Sequence, residues 1–340
     1  MKILHVGDIH LGCRLDNNSR NEEIGKVFDF ILKLVKERQI KATLLAGDVF
    51  DNGHPSVESQ DMYYNFLLDL QKEGCNQVVV IAGNHDNPDF LDAPKGLLKR
   101  MEIHVVGNVD TEHLEQEVIP LGEKENPSAI VCAVPQLEHR DVCGLVPEGT
   151  EGNRAQILAL GVAEHYRKVW EIANGLRKGQ AIPIIGMGHL YASGSTFRSN
   201  DEQNVVGKLD CIDLKSFAEG YDYMALGHIH KPQRVAEHDN WRYAGSVLPM
   251  KIQEHSFVPQ VIVLDTANLS SPEGVEIPDS CIHKMLFIKG NGTILFEFSA
   301  PITHSCRQSV QFFALSWHVV LPQKGCPKTP APFPKPNQKE

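Results

Sequence analysis

Residues 78–86 read VVVIAGNHD, an apolar run followed by a glycine and three polar residues. Five consecutive apolar residues ended by a turn residue predict a short strand that is buried on both faces. Two similar runs precede it, at residues 2–6 (KILHV) and 42–46 (ATLLA), and each is followed by Gly-Asp. The intervening segments 24–35 and 62–70 carry apolar residues at helical spacing. This order predicts a βαβαβ unit, which forms a parallel sheet with right-handed crossovers.

Five strand ends share one design, in which an apolar run leads to a glycine and then to residues that can bind metal. The motifs are Gly7-Asp8-Ile9-His10, Gly47-Asp48, Gly83-Asn84-His85-Asp86, Gly188-His189 and Gly227-His228-Ile229-His230. In an open α/β sheet, ligands bind beyond the carboxyl ends of the strands, so the five motifs are expected to face one crevice. One such motif alone is usually an ordinary turn. Five in a consistent order predict a shared site.

The residue types in these motifs indicate which ions the site would hold. Carboxylate, amide and imidazole ligands together suit manganese, and they suit iron or zinc less selectively. In Asp-x-His and His-x-His both side chains lie on the same side of an extended segment, so both can reach one ion. Two ions about 3.5–4 Å apart are an established device for phosphoester hydrolysis. The sequence therefore predicts a dinuclear centre with Mn²⁺ as the preferred ion.

The order of the motifs resembles the calcineurin-like metallophosphoesterases. Within that superfamily the flanking sequences resemble the SbcD nuclease subunits, at residues 1–12 (MKILHVGDIHLG), 46–51 (AGDVFD), 225–233 (ALGHIHKPQ) and 243–246 (YAGS). The resemblance covers about residues 1–290. It implies an α/β fold of four layers, a mixed β-sandwich flanked by helices, followed by a capping domain. Because the sequence after Asn291 does not match the family, we expect a small, truncated C-terminal cap.

The resemblance also implies roles for the polar residues of the motifs. Asp8, His10 and His230 would hold one metal ion, Asn84, His189 and His228 would hold the other, and Asp48 would bridge both. His85 would contact the scissile phosphate and assist the leaving oxygen. Asp86 would either orient His85 or cap a helix, and the sequence does not decide between the two.

The implied activity is hydrolysis of DNA phosphodiesters at ends and hairpins, in repair and recombination. The resemblance further implies an SbcC-like ATPase partner, and it leaves open a homodimer. Two alternatives remain. The chain is a phosphatase or phosphodiesterase that acts on small phosphoesters, or it is an assembly subunit whose metal site no longer turns over.

Composition and domain boundaries complete the expectations from sequence. The 340 residues are 42% hydrophobic, and the net charge of 33 − 43 = −10 is unusual for a nucleic-acid binder. No 18-residue apolar run, secretion signal or CxxC pair is present in the sequence, so we expect a cytoplasmic protein without a membrane span. We expect a nuclease domain over 1–265, a linker over 266–280, a partial cap over 281–321 and a disordered Pro-rich tail over 322–340.

Overall fold

The computed structural model describes residues 1–15, 18–147, 149–192, 195, 212–213, 220–251, 254 and 257–282, and the backbone of two short strands beyond them. The strands are β1 (Lys2–Val6), β2 (Arg14–Leu15), β3 (Asn18–Ser19), β4 (Ala42–Ala46), β5 (Gln77–Ile81), β6 (Ile103–Val106), β7 (Val118–Glu123), β8 (Asn126–Ala133), β9 (Ile184–His189), β10 (Tyr223–Gly227), β11 (Gln233–Val235), β12 (His238–Tyr243), β13 (Gln260–Asp265), β14 (Asn268–Glu276), β15 (Met285–Ile288) and β16 (Ile294–Glu297). The α-helices are α1 (Asn21–Arg38), α2 (Val57–Lys72), α3 (Pro88–Asp92), α4 (Lys95–Leu98), α5 (His139–Val142) and α6 (Arg154–Leu176).

Two six-stranded mixed sheets form the centre of the unit Met1–His283. The first sheet has the order β14-β13-β1-β4-β5-β6, and β1, β4, β5 and β6 are parallel within it. The second sheet has the order β11-β12-β10-β9-β8-β7, with β12, β10, β9 and β8 parallel. The edge strand β14 of the first sheet pairs antiparallel with its neighbour, and so do both edge strands of the second sheet, β11 and β7.

Three apolar layers hold the sheets and helices together, as the predicted four-layer fold requires. The inner faces of the two sheets meet in a core that includes Leu44, Val79, Ile185 and Ala225. The outer face of the first sheet is covered by α1 and α2, and that of the second sheet by α6. The prediction of a mixed β-sandwich flanked by helices is confirmed.

Local sequence explains where the main helices begin and end. The Ser56 hydroxyl accepts from the backbone N–H of Ser59 at 3.1 Å and so caps α2. Asn153 and Gln156 form a reciprocal capping box at the start of α6. Helix α1 ends at Arg38, and the next residue, Gln39, caps it with a φ of 55° in the left-handed region.

The predicted linker over 266–280 is wrong, because most of it forms β14, which pairs antiparallel with β13. The segment reads as a linker because β14 is an edge strand with mostly exposed side chains and few apolar residues. Pro272 is tolerated there, since an edge strand does not need every backbone N–H for pairing. The compact unit therefore extends to His283 rather than to residue 265.

The rest of the chain forms a second unit, Lys284–Glu340, of which the structure describes the antiparallel hairpin of β15 and β16. The hairpin lies in the expected partial cap over 281–321. The expected Pro-rich tail over 322–340 lies outside the described residues. No described helix combines the length and the apolar composition that crossing a bilayer needs.

Candidate metal centre

The five motifs lie at the carboxyl ends of parallel strands, where the two sheets meet. The first sheet contributes Asp8 and His10 after β1, Asp48 after β4, and Asn84 and His85 after β5. The second sheet contributes His189 at the end of β9, and His228 and His230 after β10. The crevice predicted from a single parallel sheet is thus formed between two sheets.

Unusual backbone conformations bring these side chains together. His10, Asp48 and His228 have φ values of 52°, 45° and 96°, which non-glycine residues adopt only at a cost. Gly227 lies so close to the carbonyl of Ala46 that a Cβ at this position would clash with that carbonyl. The two sheets therefore approach each other closely at the site.

His10 and His230 direct the same ring nitrogen toward one point. Their Nε2 atoms are 3.2 Å apart, and His10 Nε2 is 3.5 Å from Asp48 Oδ2. Ligand atoms of Asp8, His10 and Asp48 all lie within 4.8 Å of one another. Asp8 Oδ2 is buried and has no hydrogen-bond partner among the described residues. Asp8, His10 and His230 are together called the first half-site.

Asn84, His189 and His228 form a second group, called the second half-site. Asn84 Oδ1 lies 3.0 Å from His189 Nε2 and 2.9 Å from His228 Nδ1. Asp48 Oδ2 is 3.3 Å from the same nitrogen of His189. Since Asp48 also contacts His10, its carboxylate lies between the two half-sites.

The charged groups of the centre lie close enough to shift one another's pKa values. Burial alone would raise the pKa of Asp48, but the neighbouring His189 and His10 hold it well below its usual range. Burial opposes protonation of His189, yet Asp48 and Asp8 raise the pKa of His189 to about 9. Burial, with the nearby His189, lowers the pKa of His228 to about 4.

Asp86 makes contacts that match neither role expected for it. Its carboxylate accepts from the backbone N–H groups of Gly83 at 2.8 Å, Phe50 at 2.9 Å and Val49 at 3.1 Å. It therefore ties the loop after β4 to the loop after β5. Burial and the charge of Asp48 raise the pKa of Asp86 to about 7.

Other residues occupy the two roles that were expected of Asp86. Helix α3 is capped by Asn87, whose side chain accepts from the backbone N–H groups of Asp89 and Phe90. His85 Nδ1 lies 2.9 Å from the carbonyl oxygen of Asp51. Because a carbonyl only accepts, this ring nitrogen carries the hydrogen.

Sequence reasoning missed two carboxylates behind the imidazoles. Glu254 Oε1 lies 3.1 Å from His230 Nδ1, and Asp51 Oδ1 lies 3.4 Å from His10 Nδ1. Asp51 follows Asp48 by three residues and was a visible candidate, whereas no motif marks Glu254. The side chain of His54, three residues after Asp51, is exposed. The backbone N–H of His54 donates to the side-chain oxygen of Asn52.

The residues of the two half-sites fit a pair of divalent cations. An unpartnered buried carboxylate oxygen and two imidazole nitrogens facing each other at 3.2 Å converge on the first half-site. The second half-site combines an amide oxygen with two imidazole nitrogens. Such mixed oxygen and nitrogen sets bind borderline and hard divalent ions.

Comparison with known proteins decides the family. The model of the calcineurin-like phosphoesterase family matches residues 1–232 of the chain. The chain belongs to the calcineurin-like phosphoesterase family. It is also 31% identical over 294 residues to the SbcD subunit of the nuclease SbcCD from Escherichia coli strain K12, a match that covers 86% of the chain and 71% of that relative.

Two further relatives carry the same name. The chain is 31% identical to the SbcD subunit from Rhodobacter capsulatus, over 82% of the chain and 69% of the relative. It is 32% identical to that from Bacillus subtilis, over 78% of the chain and 66% of the relative. The predicted SbcD-like membership is confirmed, and the chain is a metal-dependent phosphodiester hydrolase.

Proposed function

We propose that the chain is a DNA nuclease that holds two divalent cations between its two sheets, with Mn²⁺ as the preferred ion. Asp8, His10 and His230 would hold one cation, Asn84, His189 and His228 would hold the other, and Asp48 would contact both. The observation that carries this proposal is the position of Asp48 Oδ2, 3.5 Å from His10 Nε2 and 3.3 Å from His189 Nε2.

Ions bound in such a centre lower the pKa of a bound water and neutralise phosphate charge. The residues of the chain supply position and a proton. The backbone N–H of His85 donates to Asp48 Oδ1 at 2.9 Å, and its Nδ1–H donates to the Asp51 carbonyl. These two contacts leave Nε2 as the nitrogen that can face substrate. When the ring is doubly protonated, the proton on Nε2 can pass to the leaving oxygen of the scissile phosphodiester, which leaves a neutral ring with its hydrogen on Nδ1.

The substrate and partners in this proposal come from the relatives, each of which is named as the SbcD subunit of the nuclease SbcCD. An SbcC-like ATPase would form the complex with this chain, and a second copy of the chain would make it a homodimer. The net charge of −10 gives little general attraction to DNA. A partner that contributes to DNA binding is consistent with this charge.

The test is hydrolysis by the full chain loaded with Mn²⁺, with and without an SbcC-like ATPase. The substrates are linear duplex DNA, hairpin DNA and an aryl phosphodiester, and metal-stripped protein is the control. We expect cleavage of all three, with DNA cleavage stimulated by the ATPase. Light scattering on the same samples measures whether dimers and the complex form.

Two outcomes would contradict the proposal. Hydrolysis of the aryl diester without any DNA cleavage, even with the ATPase, would favour a small-molecule phosphoesterase, which the negative charge also permits. Binding of two ions without hydrolysis of any substrate would indicate an assembly subunit.

A further inference from the structure

His230, which the second sheet contributes to the first half-site, is held by a carboxylate that lies outside the five motifs. Glu254 Oε1 lies 3.1 Å from His230 Nδ1, and the Glu254 side chain is only 13% exposed. A carboxylate accepts only, so His230 Nδ1 carries the hydrogen. The other ring nitrogen, Nε2, then keeps its lone pair and faces His10 Nε2 at 3.2 Å.

The turn that carries Glu254 positions its carboxylate before any ion binds. Glu254 Oε2 accepts from the backbone N–H of Met250 at 2.6 Å and from that of Lys251 at 3.3 Å. The two oxygens of Glu254 thus have different partners, one in the turn and one on His230. This division fixes the carboxylate relative to the imidazole ring.

The same turn is anchored to the start of α1. The Arg20 guanidinium donates to the carbonyl of Pro249, and Arg20 itself is buried. Two further nitrogens of Arg20 donate to the two carboxylate oxygens of Glu23, each at 2.7 Å. The contacts of Arg20 therefore hold the backbone next to the turn of Glu254.

In the second half-site, no carboxylate of the described residues lies within hydrogen-bond distance of the outer ring nitrogen of a ligand histidine. His189 Nδ1 faces the neutral carbonyl of Ala46 at 3.0 Å, and the nearest carboxylate oxygen to that nitrogen, Asp8 Oδ1, is 3.7 Å away. His228 directs its Nδ1 at Asn84 Oδ1, so this nitrogen is itself one of the ligand atoms of the half-site. A carboxylate that accepts a hydrogen bond from one imidazole nitrogen makes the other nitrogen of the ring more basic, so that it binds a cation more strongly. A neutral oxygen in the same place has a smaller effect. The two half-sites therefore differ in one respect: a carboxylate is hydrogen-bonded behind the ligand imidazole of His230, at 3.1 Å, whereas the carboxylate nearest the outer nitrogen of His189 is 3.7 Å away.

We propose that Glu254 is a positioning residue for the first half-site, and that it strengthens cation binding there relative to the second half-site. It acts through His230, by fixing the ring and by leaving Nε2 free for the ion. This inference rests on the proposed function, because it assumes that the two half-sites hold cations.

The first experiment is calorimetric titration of the metal-free full chain with Mn²⁺. Glu254→Gln keeps the size of the side chain and removes its charge, and Glu58→Gln removes the same charge from an exposed position on α2. We expect Glu254→Gln to weaken one of two sites by about 10–100-fold, as loss of outer partners of metal ligands typically does. The other site, and both sites of Glu58→Gln, should keep their affinities.

The second experiment separates positioning from a general structural effect. If Glu254 acts through His230, adding Glu254→Gln to His230→Ala should cause little further loss of affinity, because the ring is already absent. Glu254→Asp, which keeps the charge on a shorter side chain, should retain part of the affinity and also serves if Glu254→Gln does not fold. Thermal unfolding of each metal-free variant reports folding.

Three results would overturn the inference while leaving the proposed function intact. They are unchanged Mn²⁺ affinities in Glu254→Gln, equal weakening of both sites, and full additivity with His230→Ala. A wild-type chain that binds no Mn²⁺ would instead contradict the proposed function and, with it, this inference.

Discussion

Two histidines of this protein contact a poorly accessible glutamate, and their surroundings differ. His230 Nδ1 lies 3.1 Å from Glu254 Oε1 in the metal centre. His165 Nε2 lies 2.8 Å from Glu117 Oε2 in the core beneath α6, where both side chains are almost fully buried. The second nitrogen of His230 faces another imidazole. The second nitrogen of His165 is buried with no hydrogen-bond partner among the described residues.

The contact alone therefore does not identify a functional site. In the core pair, burial raises the pKa of Glu117, and His165 opposes the rise. The contact therefore offsets the cost of burying two polar side chains. In the metal centre, the same kind of contact to Glu254 leaves Nε2 of His230 directed at His10 Nε2. The convergence of the remaining polar atoms distinguishes the two regions, and the following predictions test this distinction.

The largest effect is expected at the carboxylate between the half-sites. Asp48→Asn should abolish binding of both ions and lower hydrolysis by more than the roughly 10–100-fold typical of outer partners of metal ligands. Elemental analysis and calorimetry on the purified variant check the ions. Two ions still bound per chain would show that Asp48 is not the bridge.

The next effect concerns chemistry without metal binding. His85→Ala should keep both ions and lower DNA hydrolysis by about 10²–10⁴, the usual contribution of general acid help. An aryl phosphodiester should be less affected, because its leaving phenolate needs little protonation. Rates on both substrates at equal metal occupancy provide the measurement. Equal losses would indicate that His85 positions the phosphate, and loss of an ion would make it a ligand.

Breaking the core pair should affect stability alone. His165→Ala leaves Glu117 buried without its partner and should lower the free energy of unfolding by about 3–5 kcal/mol. The exposed pair of His113 and Glu115, 3.1 Å apart, offers a control, and His113→Ala should change stability little. Denaturant unfolding and Mn²⁺ titration at low temperature measure both properties. Weakened Mn²⁺ binding in folded His165→Ala would remove the contrast between the regions.

A smaller effect is expected where the sheets approach each other. A Cβ at Gly227 would clash with the Ala46 carbonyl and with His189, so Gly227→Ala should lower the free energy of unfolding by about 1–3 kcal/mol and disturb the second half-site. Gly175, in α6, has open space around it, and Gly175→Ala should be neutral or stabilise by up to about 1 kcal/mol. Thermal unfolding of the two variants compares them. Equal stabilities would mean that the sheets can separate at no cost.

The smallest effect is expected from removing the second unit. Both half-sites and the core pair lie within Met1–His283. Deleting Lys284–Glu340 should therefore leave Mn²⁺ stoichiometry and aryl diester hydrolysis unchanged. The same assays on full and shortened chains test this, and loss of an ion from the shortened chain would contradict it.

The sequence predicted the elements that are buried on both faces. The runs that form β1, β4 and β5 are mostly apolar because sheets and helices cover them, and such runs are visible in one sequence. The edge strand β14 has mostly exposed side chains and too few apolar residues to be recognised, so the sequence predicts a linker there. Burial, rather than strand length, decided which elements could be found.

For the site, the sequence by itself determined which residue types follow the strands, and the order of those strands brought seven candidate ligands to one end of two sheets. The tertiary structure alone decided the contacts of the individual atoms. Asp86 is a neighbour of His85 in sequence, yet its carboxylate binds three backbone amides. Glu254 lies 24 residues beyond His230 and still contacts its ring. Which nitrogen of a histidine faces a ligand depends on the group placed behind the ring, and that group is brought there by packing of turns that no local pattern encodes.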